Sequence, residues 1–167
     1  MESFRGGGRH AILRPMETHS SSAVVQRHLV DSLYVEAMVL ADEARAYFDD
    51  GGRGERAMLD PMTRVVFSCE SLKITTRLMH VIAWLLTQRA VAAGEISAVA
   101  ARDPARLLGP APRTEERVLQ AMPNGTRTLV AASIDLYRRV ERIERAHEGP
   151  PPASPARAMF DRLALAL

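Results

Sequence analysis

Few side chains in this 167-residue chain have the types and spacing that chemistry requires. Glu144 and His147 stand three apart, the interval at which one helix presents a carboxylate and an imidazole to a di-iron centre. Such a centre needs a second pair of this kind and two more carboxylates facing it, and neither is evident. His147 also falls at the end of a helical stretch, where a cation favours the dipole. Cys69 would need a histidine or a basic neighbour to act as a nucleophile, and it falls within an apolar arc, so it is expected to be a small core residue. His28 and His80 are isolated. Gly6-Gly7-Gly8 follows no strand and opens no helix, so it makes no phosphate cradle. A single cysteine excludes a disulfide framework and a thiolate zinc site. No catalytic residue, cofactor or metal is expected, and the residues point to an interaction protein rather than an enzyme.

The elements that carry these residues are helices. Three stretches of about thirty residues have helical periodicity and none reads as a strand. In the first, from about Ser20 to Asp50, the positions Gln26, Val30, Leu33, Ala37, Leu40, Ala44 and Tyr47 alternate steps of 4 and 3, which keeps one side facing a partner. Asp60-Pro61, an N-cap acceptor before a first-turn proline, opens the second, and Gly94 closes it. The third runs from Met122 to about His147, with Leu129, Ser133, Leu136, Val140 and Ile143 on one face. A short helix capped by Thr114 precedes it. The expected fold is all-α, a long antiparallel three-helix bundle running up-down-up, with tails leaving from opposite ends. A four-helix bundle is the alternative if 97–121 forms a full-length helix.

Residues 18–147 form the helical domain, between an N-terminal tail, 1–17, and a C-terminal tail, 148–167, both expected to be disordered. The C-terminal tail is a Pro-rich tether, Glu148 to Arg157, carrying an apolar tip with Met159, Phe160, Leu163, Leu165 and Leu167. A tethered apolar motif of this kind is a candidate partner-binding element.

In the second helix Glu70, Lys73, Arg77, His80, Thr87 and Gln88 share one polar stripe with Trp84, while apolar residues fill an arc of roughly 200°. Arg77, His80 and Trp84 form a second candidate partner surface, since an aromatic flanked by arginine is common at interface hot spots. The apolar arc exceeds what two neighbouring helices cover. Leu72, Met79, Ala83 and Leu86, with Val35, Met38 and Val39 of the first helix, are therefore the expected homodimer interface. The alternative is that the loop 93–113 folds back and covers these patches in a monomer.

The net charge is +2, and no segment is a basic block, so nucleic-acid binding is not expected. No apolar run reaches the roughly 18 residues of a membrane span. No apolar stretch precedes the polar run Glu17 to Ser22 either, so no secretory signal is expected and the protein reads as cytoplasmic.

Within the second helix, Ser68-Cys69-Glu70-Ser71-Leu72-Lys73-Ile74-Thr75-Thr76-Arg77-Leu78-Met79, followed by Ala83-Trp84-Leu85-Leu86 and by Gln88-Arg89-Ala90-Val91 up to Gly94-Glu95, resembles the signature of an alphaproteobacterial family, that of RcdA, the regulator of CtrA degradation. Ser32-Leu33-Tyr34, Glu36-Ala37-Met38, Glu43 and Tyr47 of the first helix agree with it. The resemblance spans about residues 20–147 and leaves out the tails. It implies a dimerising three-helix bundle that acts as a non-enzymatic adaptor of the ClpXP protease. Such an adaptor works with a response-regulator-type partner, CpdR, delivers cell-cycle regulators as cargo, and is found at the cell pole. It marks no catalytic residues. A helical-bundle dimer with a purely structural or localisation role is the competing expectation, and a metal-binding four-helix protein is a more distant one.

Overall fold

The structure, a computed structural model, describes residues 17–148. Both expected tails, apart from the residues at their inner ends, lie outside this range. The described chain is all-α: α1 (Glu17–Ala46), α2 (Arg53–Met58), α3 (Pro61–Ala92), α4 (Glu116–Gln120) and α5 (Asn124–Glu148). The alternating spacing is realised as packing. Val30, Leu33, Ala37, Leu40 and Ala44 of α1 meet Ile74, Leu78, Val81 and Leu85 of α3 and Leu129, Leu136 and Val140 of α5 in one core.

The helix boundaries follow local chemistry. Asp60 accepts hydrogen bonds from the backbone N–H groups of Met62 (3.0 Å) and Thr63 (3.1 Å), and Pro61 occupies the first helical position. Beyond Ala92 the chain turns at Gly94, whose φ of 77° is open to glycine at no steric cost. At the end of α1 the backbone widens into a π-turn over Tyr47–Gly51. There Tyr47, Phe48 and Phe67 make an aromatic cluster, with 5.1 Å between the Phe48 and Phe67 ring centroids. The start of α5 crosses Tyr47 so closely that a Cβ on Gly125 would lie 2.4 Å from its ring.

The expected up-down-up order is corrected. α1 and α3 are antiparallel, as Arg89 near the end of α3 pairs with Asp31 of α1 at 3.0 Å while Phe67 near its start meets Phe48. α5, however, runs parallel to α3 and antiparallel to α1. It begins where Thr126 meets Tyr47 (3.2 Å), pairs through Arg139 with Glu36, and ends where His147 contacts Gln26. The order is up-down-down, and α1 starts at the end of the bundle where α5 finishes. The reason is the connection. At about 1.5 Å per residue α3 is some 48 Å long, and residues 93–123 travel back along it before α5 can begin. They contain two 3₁₀ turns (Ala100–Arg102 and Pro104–Arg106) and the five-residue α4, so 97–121 is not a fourth full-length helix.

Candidate functional site

The returning connection decides which surfaces are free. It lies as a strap over the polar stripe of α3, so the expectation that Arg77 and Trp84 face a partner is corrected. Arg77 is 1% exposed and Trp84 2% exposed. The Arg77 guanidinium donates to the Pro112 carbonyl from Nη2 (2.9 Å) and Nε (3.2 Å), to Thr114 Oγ1 (2.7 Å) and to Ser133 Oγ on α5 (3.1 Å). Thr114 donates in turn to Glu70 (2.6 Å), and Lys73 closes the network on the other Glu70 oxygen (2.7 Å). Burial of the guanidinium lowers its pKa, and the Glu70 charge opposes that shift. Thr114 therefore joins this network and makes no cap: Glu115 stands at the N-cap of α4 without a side-chain bond.

Two further contacts hold the strap. Glu144 accepts from the backbone N–H of Leu108 (2.6 Å), and the Tyr137 hydroxyl donates to the Gly109 carbonyl (2.7 Å). His80 is half-buried beneath Gly109, where a Cβ would lie 2.7 Å from its ring. The His147 ring stacks on Trp84 with centroids 5.9 Å apart. Burial, and then the Arg102 charge, lower the His147 pKa, while Glu144 raises it. Glu144 and His147 are thus occupied with the strap and Trp84, and among the described residues no three His, Cys, Asp or Glu side chains gather where they could hold a metal ion.

The apolar side of α3 lies on the outside. Val65, Leu72, Met79 and Leu86, every seventh residue, are 59%, 69%, 63% and 45% exposed, and Ala83 is exposed among them. Cys69 is exposed as well, so its expected place in the core is corrected: it sits at the margin of the arc that no other helix covers among the described residues. On α1 Val35, Met38 and Val39 are exposed. A shallow groove of about 300 Å³ between Ala41, Ala44 and Arg45 of α1 and Thr75, Leu78 and Met79 of α3 joins the two helices. Met38 lies seven residues before Arg45 and shares its face, so the apolar surface continues from α3 onto α1. The alternative in which 93–113 covers these patches is not what the strap does; it covers the polar stripe instead.

The tip residues Met159, Phe160, Leu163, Leu165 and Leu167 lie outside the described residues. Among the described residues no helix is long and apolar enough to cross a membrane. Sequence reasoning missed the buried network. Its one sequence signal was Ser133, a hydroxyl in the core stripe of α5.

A family described as a protein of unknown function, DUF1465, matches residues 21–167. Among solved structures, the crystal structure of RcdA from Caulobacter crescentus CB15 is 36% identical, aligns over 71% of this chain and 90% of that one, and has a TM-score of 0.56. The chain belongs to the RcdA family. No curated protein sequence matches it significantly. The match to the DUF1465 family runs through residue 167, so the C-terminal tail, expected to fall outside the family's pattern, lies within the matched span.

Proposed function

We propose that this chain is a non-enzymatic adaptor that brings cell-cycle regulatory proteins to the ClpXP protease. The observation that carries this reading is the 36% identity to RcdA over 90% of that chain. An adaptor performs no bond chemistry. It lowers the effective KM of the protease by holding cargo near the unfoldase, so modest affinities at two surfaces suffice. The surfaces suit that role. Leu72, Met79, Ala83 and Leu86 of α3 with Val35, Met38 and Val39 of α1 form the self-association face, because a continuous apolar face of this kind is stabilised by burial against a second copy. The C-terminal tip, on its Pro-rich tether, is the delivery contact. A response-regulator-type partner, CpdR, prepares the protease, and the adaptor acts in the cytoplasm at the cell pole.

The test is reconstituted proteolysis with ClpXP, CpdR and a candidate cell-cycle regulator, with and without this chain. Degradation at sub-saturating cargo is expected to accelerate only when both CpdR and the chain are present. Equal rates with and without the chain, across a panel of such cargoes, overturn the reading.

A further inference from the structure

Where α1 begins and α5 ends, the bundle is incompletely covered. From Ala23 to Leu29 every side chain of α1 is exposed, with Val24 50%, Val25 65% and Leu29 44% exposed, and Val30 is buried. Here α1 and α3 leave between them a groove of about 410 Å³, lined by Ala23, Arg27 and Val30 on one side and Gln88, Val91 and Ala92 on the other. That volume lies within the range of about 300–1,000 Å³ in which pockets bury a small ligand or a few side chains.

We propose that the apolar tip of the C-terminal tail, residues 158–167, docks in this groove of its own chain. Three observations select this occupant. The tail departs beside the groove, since His147 in the last turn of α5 contacts Gln26, which lines it. The reach is sufficient: nine residues, 149–157, span roughly 17 Å as a random coil and about 28 Å as a polyproline helix. The chemistry is complementary. Met159, Phe160 and Leu163 supply apolar groups to the groove, and Asp161 supplies an acid for Arg27, since the groove's own carboxylate, Asp31, is paired with Arg89 at 3.0 Å. The up-down-down order brings this about, because an up-down-up bundle would release the tail at the far end. Docking shields the tip in the free protein, so a partner that takes the tip must first displace it from the groove. The proposal stands independently of the adaptor reading, and its test contains no protease.

The full chain is prepared with p-benzoyl-phenylalanine in place of Phe160, as a mixture of isotopically light and heavy molecules, and irradiated at sub-micromolar concentration. Cross-links within one chain, to peptides covering Ala23–Asp31 or Gln88–Ala93, are expected. Cross-links between light and heavy chains, cross-links to other parts of the fold, or none at all overturn the proposal. A second measurement compares amide hydrogen exchange over residues 23–31. With an effective concentration near 1 mM and an intrinsic Kd of about 0.1 mM, docking slows exchange by about ten-fold relative to a chain ending at Glu148. Ala92→Glu, an exposed position within the groove, is expected to abolish that difference with unchanged helical content. Equal exchange in the full and shortened chains contradicts the docking.

Discussion

Replacing Arg77 by methionine retains most of the side-chain volume and removes every donor. Arg77 makes four hydrogen bonds, two to the Pro112 carbonyl and one each to Thr114 and Ser133, at a site only 1% exposed. Thr114 keeps its bond to Glu70, Ser133 keeps its bond to the Val130 carbonyl, and Glu70 keeps Lys73. The uncompensated losses are the Pro112 carbonyl and the cation facing the fully buried Glu70. A buried acceptor left without a donor costs about 1–3 kcal/mol, and removing a cation that is linked to the buried Glu70 through Thr114 costs part of the roughly 3–5 kcal/mol of a broken direct pair. Because Lys73 still neutralises part of the Glu70 charge, about 3–5 kcal/mol in total is expected, a large share of the roughly 5–15 kcal/mol of a whole domain. The assay is urea unfolding followed by circular dichroism, paired with fluorescence of Trp84, the only tryptophan in the chain. Loosening of the strap beside this 2%-exposed ring shifts its emission to the red before global unfolding. Arg77→Lys keeps a charge but not the planar fork and is expected to recover only part of the loss. Thr114→Val combined with Arg77→Met is expected to cost less than the two single changes added. A change below about 1 kcal/mol with unaltered Trp84 emission refutes the reasoning that this network holds the strap.

Gly109→Ala places a methyl 2.7 Å from the His80 ring and is expected to destabilise by about 1–3 kcal/mol, while His80→Ala in the same chain recovers part of it, as thermal unfolding of the three variants will show. Acid weakens the end of α5. The His147 pKa is lowered from the usual value near 6.5, so between these two values the unfolded chain binds more protons than the folded one. The contribution of His147 is complete above about pH 6.5 and is lost as pH falls through the depressed value, so urea midpoints drop on acidification in the wild type more than in His147→Gln. Leu72→Glu with Met79→Glu, at positions 69% and 63% exposed, is expected to leave helical content nearly unchanged while halving the mass measured by light scattering and removing the concentration dependence of the unfolding midpoint.

Periodicity was sufficient to place the long helices, and Asp60-Pro61 and Gly94 to bound α3, because caps and apolar spacing are local properties. Direction is not local. The alternating steps of α5 define which face is buried but are the same whether the helix runs up or down, and the long connection 93–123 was compatible with either order. The polar stripe of α3 misled for a related reason. Charged side chains are almost never fully buried unless they are paired, and the partners of Glu70 and Arg77 lie in Pro112 and Thr114, within a segment that has no periodicity to announce its path. The surplus apolar arc was legible, since Leu72, Met79 and Leu86 exceed what two neighbours can cover. Cys69 sits at the margin of that arc, where a shift of a few tens of degrees separates core from surface.

Delivery by a shortened chain tests the adaptor role most directly. Reconstituted degradation of a responsive cargo by ClpXP and CpdR is measured with the full protein and with a chain ending at Glu148, once both show the same helical content and the same mass in solution. The shortened chain is expected to fold and self-associate but no longer to accelerate degradation. Undiminished delivery without residues 149–167 would contradict that expectation and move the working contact onto the helices themselves.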